Sequence, residues 1–431
     1  MDRRVKTLAI FLGLSFALEP TQRTFDEYVA SCITDCIGLS FSNKSCTANY
    51  KTGGFTDEDC TAYNTFQPTL ISADQKVMLC DFNPNKDFGA NIMTAVEHNL
   101  CTHVAFGPWH VFNSEQLKFE PIRSVMKKQL PAKEYSKVHG VKAILTFGSE
   151  YAENGMDAGN WSIVAADADW RKQIITQMVE LMDVNKFDGI SVFWHYSVCP
   201  NSDCSAGNRK DKENLVTLMR ELYNVTKPQG KLLFLLLPHV DLPLAQGYDL
   251  PILWNVVDFF FLHSYLYEGI FNDFLGYPSS LNKMRLSMVT IRKNLGFSKM
   301  RKFLAGFSSV STLYTLAKPN PKPKYKDESY ISSYTSIVEV CESVKRGNFT
   351  FILNENDGNF AHNKTHVYAY EDYNSLKEKI EFFQSIGMGG LMYARSRDDD
   401  VENKCGCGPM PILRIASEIL HGRGCLIKQC L

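Results

Sequence analysis

Short apolar runs alternate with amphipathic stretches along most of the chain, starting near residue 75. The runs are rich in β-branched and aromatic residues, which predicts strands. The eight predicted strands are Lys76–Phe82, Thr102–Trp109, Val141–Phe147, Asp188–Trp194, Lys231–Leu237, Val257–Tyr265, Lys302–Ser308 and Gly389–Ala394. Runs that are apolar at nearly every position, such as Leu232–Leu237, are typical of a parallel sheet that is covered on both faces.

Segments of helical character separate these runs. Clear examples are Trp170–Val184, Lys212–Val225, Leu281–Asn294, Ser375–Ile386 and Ile412–Leu420. Eight strand-then-helix units over roughly 350 residues predict an α/β fold of the (β/α)8 TIM barrel type. An open doubly wound sheet is less favoured, because no glycine-rich phosphate-binding turn follows the first strand.

The interval between the seventh and eighth predicted strands, about eighty residues, is longer than one crossover helix requires. It contains a Lys/Pro-rich run at 318–324, a helical pattern over Ile331–Val344 and a strand-like stretch over Asn348–Leu353. We therefore expect a small α+β insertion at about residues 317–370. It would sit on the rim of a barrel domain that spans residues 75–422.

The two ends of the chain differ from the barrel region. Residues 1–17 combine Arg3, Arg4 and Lys6 with an apolar stretch that ends in small residues, which indicates a secretory signal peptide. The alternative is an uncleaved membrane anchor. Residues 18–74 form a Cys-rich extension whose four cysteines allow three disulfide pairings. Residues 423–431 form a Cys-containing tail.

Thirteen cysteines and five Asn-x-Ser/Thr sequons indicate an oxidising, secretory route. The predicted glycosylation sites are Asn43, Asn160, Asn224, Asn348 and Asn363. After the signal peptide, no stretch of the sequence is apolar for long enough to span a membrane. We therefore predict a secreted, extracellular protein with no membrane span once the signal peptide is removed.

Charge adds little to this picture. A formal net charge of −1 and a pI near 6.8 give no indication of a nucleic acid or an anionic membrane as partner. His103, Asp188 and His263 are of metal-ligating types, but their predicted strands give no reason to converge, so we predict neither a metal nor a cofactor. The acidic run Asp398–Asp400 predicts a solvated turn after the last strand.

The candidate site lies at the stretch from Lys186 to Tyr196. It is a buried strand pattern, entered through Asp-Gly and followed by a polar loop. Sites of (β/α)8 barrels lie at the carboxyl ends of the strands, so this loop is expected to border a site. Cys199 and Cys204 flank the loop, and their spacing and compartment predict a local disulfide.

Motifs over residues 75–422 resemble, in order, those of family-18 glycoside hydrolases, the chitinase and chitinase-like family. The matching segments are Lys76–Cys80, Ala143–Gly148, Phe261–Tyr265, Leu304–Phe307, Gly389–Met392 and Cys405–Ile412. The resemblance implies a (β/α)8 barrel. It also implies two disulfides, Cys80–Cys101 and Cys341–Cys405.

Members of that family hydrolyse β-1,4-linked N-acetylglucosamine polymers by a substrate-assisted route. Their signature, Asp-Gly-x-Asp-x-Asp-x-Glu, ends the fourth strand; the Glu protonates the leaving oxygen and the nearest Asp supports the acetamido group. Here Asp188 and Gly189 match the start of the signature. Ser191 replaces the second Asp and Phe193 the assisting Asp. His195 replaces the acid, so the resemblance implies a degenerate motif without catalytic residues.

Six residues are candidate ligand contacts at the predicted barrel mouth. They are Trp109, Glu150, Trp194, Tyr196, Tyr265 and Tyr393. The alternative is that the aromatic ones pack in the core or the top layer of the barrel, which is the commoner situation for Trp109. The tryptophan that lies under the sugar in the family is replaced by Ala394, beside Tyr393, so a sugar-stacking platform is reduced.

These observations predict a secreted, non-catalytic chitinase-like protein. It would bind a glycan, such as chitin or a chito-oligosaccharide, or an extracellular protein partner. The alternative is an active or altered glycoside hydrolase that acts on N-acetylglucosamine polymers, with His195 taking part in the chemistry.

Overall fold

A computed structural model describes residues 76–81, 88–148, 156–239, 241–295, 299–347, 349–354 and 358–423. The predicted signal peptide, the Cys-rich extension, Glu150 and residues 424–431 of the tail lie outside these ranges.

Eight parallel strands close into a barrel, as the apolar runs predict. In chain order they are β1 (Val77–Asp81), β2 (His103–Phe106), β5 (Lys142–Phe147), β6 (Gly189–Val192), β7 (Leu232–Leu237), β8 (Phe259–Leu262), β9 (Phe303–Ser308) and β15 (Gly390–Ala394). Around the barrel the order is β1-β15-β9-β8-β7-β6-β5-β2. Two short strands, β3 (His110–Asn113) and β4 (Lys118–Pro121), form an antiparallel hairpin after β2.

Helices connect the strands, and all five helices quoted from the sequence are present. The helices are α1 (Phe88–Glu97), α2 (Arg123–Val138), α3 (Ala158–Ala166), α4 (Ala168–Val184), α5 (Asp211–Thr226), α6 (Asp241–Gly247), α7 (Leu250–Val256), α8 (Leu281–Leu295), α9 (Ile337–Lys345), α10 (Tyr373–Ser385) and α11 (Pro411–Leu420). Side-chain caps fix several starts. Asp167 accepts hydrogen bonds from two backbone N–H groups of α4, and Asp372 forms a capping box with Ser375 at α10.

Carboxylates at the amino-terminal ends of two strands bind the strand next to them. Asp188 Oδ2 accepts a hydrogen bond from the backbone N–H of Ala143 in β5, at 2.9 Å. Asp258 Oδ2 accepts one from the N–H of Leu233 in β7, also at 2.9 Å. The Asp that opens the candidate motif therefore has a structural partner at the face opposite the barrel mouth.

The insertion between β9 and β15 is a small α+β unit, as predicted. Its antiparallel strands are β10 (Ser311–Leu316), β11 (Ser329–Thr335), β12 (Thr350–Asn354), β13 (Gly358–His362) and β14 (His366–Tyr370), in the order β11-β10-β14-β13-β12. The sheet therefore includes β10, which precedes the expected start near residue 317. One face buries a cluster formed by Leu275, Tyr277, Tyr314, Leu316, Phe360, Val367 and Ala369.

The helix expected over Ile331–Val344 is wrong in its first part. Residues up to Thr335 form β11, which pairs with β10 along most of its length. Alternation of Ser with Tyr and Ile suits a strand with one face on a sheet, and pairing with β10 overrides the helical pattern downstream. The helix α9 begins only after Ser336, whose hydroxyl accepts a hydrogen bond from the N–H of Glu339.

Three disulfides join described residues: Cys80–Cys101, Cys199–Cys204 and Cys341–Cys405. These are the three pairs expected from the resemblance and from spacing. Of the predicted glycosylation sites, Asn224 is exposed, Asn160 and Asn363 are half-buried, and Asn43 and Asn348 lie outside the described ranges. Within those ranges, no helix has both the length and the hydropathy to cross a membrane.

Candidate binding site at the barrel mouth

Strand β6 leads from the barrel interior to the candidate site. It pairs with β5 and β7, which places Ser191 between Thr146 and Phe234. Ser191 is buried, whereas Phe193 and His195 follow the carboxyl end of β6 and are half-buried. Ser191, Phe193 and His195 therefore run from the interior of the barrel to its mouth.

Aromatic rings from β8 and the loop after it surround Phe193 and His195. The Phe193 ring centroid lies 6.2 Å from that of Phe261 and 6.3 Å from that of His263. The His195 ring is 5.5 Å from His263, and its Nδ1 lies 3.1 Å from Oδ1 of Asn201. Aromatic and imidazole rings thus surround the end of β6 at the mouth.

Two further histidines, His239 and His263, lie close to His195. Burial lowers the pKa of His239 to about 3, and repulsion from His195 adds to this. Burial, again with His195, holds the pKa of His263 well below its ordinary value. Nδ1 of His263 lies 2.9 Å from the hydroxyl of Tyr196. Both histidines are therefore neutral at physiological pH and supply no negative charge to a developing cation.

The histidines at the mouth do not form a metal site with other side chains that the structure describes. In the ranges that the structure describes, no group of three His, Cys, Asp or Glu side chains could hold a metal ion. His103 Nδ1 lies 2.9 Å from Oγ1 of Thr102, and Asp188 accepts the N–H of Ala143. These two residues lie at strand starts, whereas His263 follows the carboxyl end of β8.

All five aromatic ligand candidates are buried: Trp109, Trp194, Tyr196, Tyr265 and Tyr393. Trp194 has no exposed surface and stacks on Trp161, with ring centroids 6.1 Å apart. The indole N–H of Trp109 donates to Oε1 of Gln129. In this structure the five rings pack among other side chains, and a role as ligand contacts stays a prediction for them and for Glu150.

A narrow cleft separates the barrel mouth from the insertion sheet. It encloses about 10 Å³, roughly the room for one water molecule. Its lining comes from the loop after β8, from the end of β9 and from β13 and β14, with Tyr265, Ser308 and Tyr370 among its walls. A sugar chain does not fit in this cleft without movement of its walls.

The acidic run at 398–400 is buried, so the expected solvated turn is wrong. Asp399 is 3% exposed and Asp400 has no exposed surface. Asp399 Oδ2 accepts the N–H of Leu413 at 3.1 Å, and Asp400 Oδ2 accepts the N–H of Cys405 at 2.7 Å. Backbone donors at the start of α11 and in the loop before it offset part of the cost of burying these carboxylates, which the sequence pattern alone does not reveal.

His239 is a mouth residue that the motif comparison does not include. It follows Pro238 directly after β7, and its ring lies 4.6 Å from that of Tyr267. Its position in the sequence could have identified it, because residues just after the carboxyl end of any barrel strand lie at the mouth.

The comparisons with known proteins agree with this geometry. The model of the family "Glycosyl hydrolases family 18" matches residues 81–398. The chain belongs to glycosyl hydrolases family 18.

Among curated proteins, Probable chitinase 10 of Drosophila melanogaster is 21% identical over 359 residues. The match covers 78% of this chain but only 15% of that protein. The oviduct-specific glycoprotein of Ovis aries is 23% identical over 354 residues, which cover 74% of this chain and 62% of that protein. This chain therefore spans only part of the length of both relatives.

Solved structures show the same barrel. Catalytic domain 2 of the Ostrinia furnacalis Group II chitinase has a TM-score of 0.73 at 20% identity, covering 82% of this chain and 100% of that one. Human YKL-39 has a TM-score of 0.66 at 18% identity, covering 80% and 99% respectively, and is described as a pseudo-chitinase with retained chitooligosaccharide binding properties. At these identities the likeness shows the fold.

Proposed function

We propose that this family-18 protein is a secreted, non-hydrolytic recognition protein, which binds an extracellular glycan or protein without cleaving it. The observation that carries the proposal is the identity of the side chains at the end of β6. The side chains there are Phe193 and His195, which the resemblance aligns with the assisting carboxylate and with the acid.

The substrate-assisted route needs negative charge beside the acetamido group as positive charge develops there. A phenyl ring supplies none, and the neighbouring His263 is kept neutral by burial. Since a positioned acid and an electrostatic stabiliser each contribute about two to four orders of magnitude, their joint loss is expected to reduce hydrolysis by about 10⁴-fold or more.

Two kinds of observation support the recognition part. A structural relative, human YKL-39, is described as a pseudo-chitinase that retains chitooligosaccharide binding. The half-buried Phe193 and His195 offer a partly exposed floor at the mouth of this barrel. The buried state of Trp194 and Tyr393 favours contact with a short or shallow ligand over a long chitin chain threaded through the cleft.

The extracellular part of the proposal depends on the sequence of residues 1–17 and on cysteine chemistry. Three disulfides among the described residues are compatible with folding in an oxidising compartment. Secretion of a tagged full-length chain, with cleavage near residue 17, tests this part by mass spectrometry of the secreted protein's amino terminus.

The decisive experiment is hydrolysis of chito-oligosaccharides by the purified protein from pH 4 to pH 8, beside an active chitinase. We expect no turnover above background in the protein or in His195→Ala. Turnover that disappears in His195→Ala would establish the altered-hydrolase alternative and overturn the proposal. Calorimetric titration with the same oligosaccharides distinguishes a glycan ligand from a protein partner. Heat of binding supports the glycan, and its absence favours the protein partner.

A further inference from the structure

Lysines recur at the starts of the barrel strands. Lys142 opens β5, Lys186 precedes β6, Lys231 precedes β7 and Lys302 precedes β9. The strands are parallel, so all four lie at one end of the barrel, opposite the mouth. The sector from β5 to β9 comprises five neighbouring strands, about 20 Å across at the usual strand spacing.

Part of this pattern has a structural explanation. Helices of the barrel end at this face, and their last carbonyl groups favour cations. Lys231 Nζ donates to the carbonyl of Phe187 at 2.6 Å, and Lys302 Nζ donates to the carbonyls of Trp254 and Val257 at 2.7 and 2.6 Å. Lys142, Lys186 and Arg301 are exposed and have no such bond among the described residues, so this explanation does not cover them.

Positive charge exceeds negative charge in this sector. Three cations form ion pairs, Lys137–Asp188, Lys231–Asp183 and Lys227–Asp258, at 3.6, 3.6 and 3.1 Å. Five others form no ion pair within the described ranges: Lys142, Lys186, Lys299, Arg301 and Lys302. The excess of five cations is large for a chain of net charge −1.

Trp254 holds three of these cations close together. Nζ of Lys302 and Nζ of Lys299 lie 4.5 and 5.1 Å from the ring centroid, and Cζ of Arg301 lies 5.5 Å from it. Attraction to the ring offsets part of the repulsion between like charges. The side chains are thereby kept together at the surface, where a second source of negative charge would stabilise them further.

We propose that this basic face, defined by Lys142, Lys186, Lys227, Lys231, Arg301 and Lys302, binds a sulfated glycosaminoglycan. The basic side chains follow about 20 Å of the curved end of the barrel, and four of them, Lys142, Lys186, Arg301 and Lys302, form no ion pair among the described residues. Such an arrangement suits an extended polyanion, whose binding releases counterions. The choice of a sulfated glycan rests on the extracellular role proposed above, since such chains are the polyanions that a secreted protein meets. The site is separate from the mouth.

Heparin is the probe, and its affinity is measured by calorimetry or surface plasmon resonance between 0.05 and 0.3 M salt. The test variant is Lys142→Gln/Lys186→Gln/Arg301→Gln, which removes three exposed cations and leaves the lysines bonded to carbonyls in place. The matched control is Lys318→Gln/Lys322→Gln/Lys324→Gln, which removes three exposed cations from the insertion. Thermal unfolding checks that both variants fold.

We expect the test variant to weaken heparin binding by about tenfold or more and to lower the slope of log Kd against log salt by about two. The control should stay within about threefold of the unmodified protein. Equal losses in both variants, or no heparin binding by the unmodified protein at 0.15 M salt, would overturn the proposal. Binding to phosphatidylserine vesicles without binding to heparin would assign the face to a membrane and also overturn it.

The result of the heparin experiment does not depend on what the barrel mouth binds or cleaves. Hydrolysis or chito-oligosaccharide binding can fail or succeed while heparin binding does the opposite, so failure of one proposal is distinguishable from failure of the other.

Discussion

Asp188 is the first residue of the segment that resembles the family signature, and its contacts give it a structural role. Its Oδ2 accepts the N–H of Ala143 at 2.9 Å, and its Oδ1 lies 3.6 Å from Nζ of Lys137. Neither contact involves the mouth. The carboxylate of Asp188 therefore joins the start of β6 to β5 and to α2, at the end of the barrel opposite the mouth.

Replacing Asp188 with Ala should destabilise the protein by about 1–3 kcal/mol, because the N–H of Ala143 loses its acceptor. Urea unfolding of the purified variant measures this. Asp183→Ala is the control: it removes a more exposed carboxylate with one long ion pair and should cost less than about 1 kcal/mol. Equal costs for the two variants would show that the hydrogen bond to β5 contributes little.

At the scale of elements, helix α11 depends on a buried carboxylate from the loop before it. Asp399 accepts the N–H groups of Ile412 and Leu413 at 3.3 and 3.1 Å, and the hydroxyl of Tyr393 at 2.8 Å. Burial nevertheless raises the pKa of Asp399 to about 6, against an ordinary 3.8. Burial therefore destabilises the ionised form of Asp399 by more than these hydrogen bonds stabilise it.

The raised pKa of Asp399 determines how its contribution to stability changes with pH. Because the folded-state pKa is raised, the contribution of Asp399 to stability is complete below about pH 3.8 and is lost as the pH rises to about 6. Asp399→Asn removes the titration. We expect the stability of this variant, relative to the unmodified protein, to increase by up to about 3 kcal/mol from pH 4 to pH 7.

Urea unfolding at pH 4, 5, 6 and 7 measures that difference. A loss of hydrogen bonding in Asp399→Asn is the same at every pH and does not alter the trend. Asp167→Asn, at the exposed cap of α4, is the control for removing a carboxylate at a helix start outside the buried loop. A pH-independent difference for Asp399→Asn would contradict the raised pKa.

The barrel and its insertion differ in how well their elements could be predicted from the sequence. The strands of the barrel could be predicted because each is a continuous apolar run, and burial on both faces demands such a run wherever it lies in the chain. The start of α9 could not, since pairing with β10 decides that residues before Ser336 are extended. Local pattern therefore predicts the barrel more accurately than its insertion.

For the site, residue identity was predictable and burial was not. Phe193 and His195, which the resemblance aligns with acidic positions of the family, can be read directly from the sequence. The burial of Trp194 against Trp161, and of Asp399 beneath α11, depends on contacts between residues far apart in the chain. Such contacts arise only when the whole barrel closes, so the exposed or buried state of mouth residues needed the structure.

At the scale of the whole molecule, the disulfide Cys341–Cys405 connects α9 of the insertion to the loop before α11 and closes a loop of sequence separation 64. Cys199–Cys204, of separation 5, closes only a local loop beside the mouth and is its natural control. Because the unfolded chain loses more entropy through the longer loop, Cys341→Ala/Cys405→Ala should lower the free energy of unfolding by about 4 kcal/mol, and Cys199→Ala/Cys204→Ala by about 2 kcal/mol. Urea unfolding of both variants under non-oxidising, non-reducing conditions gives the two values. A larger loss of unfolding free energy in Cys199→Ala/Cys204→Ala would contradict this expectation. It would mean that the disulfides stabilise the mouth loop more than the attachment of the insertion.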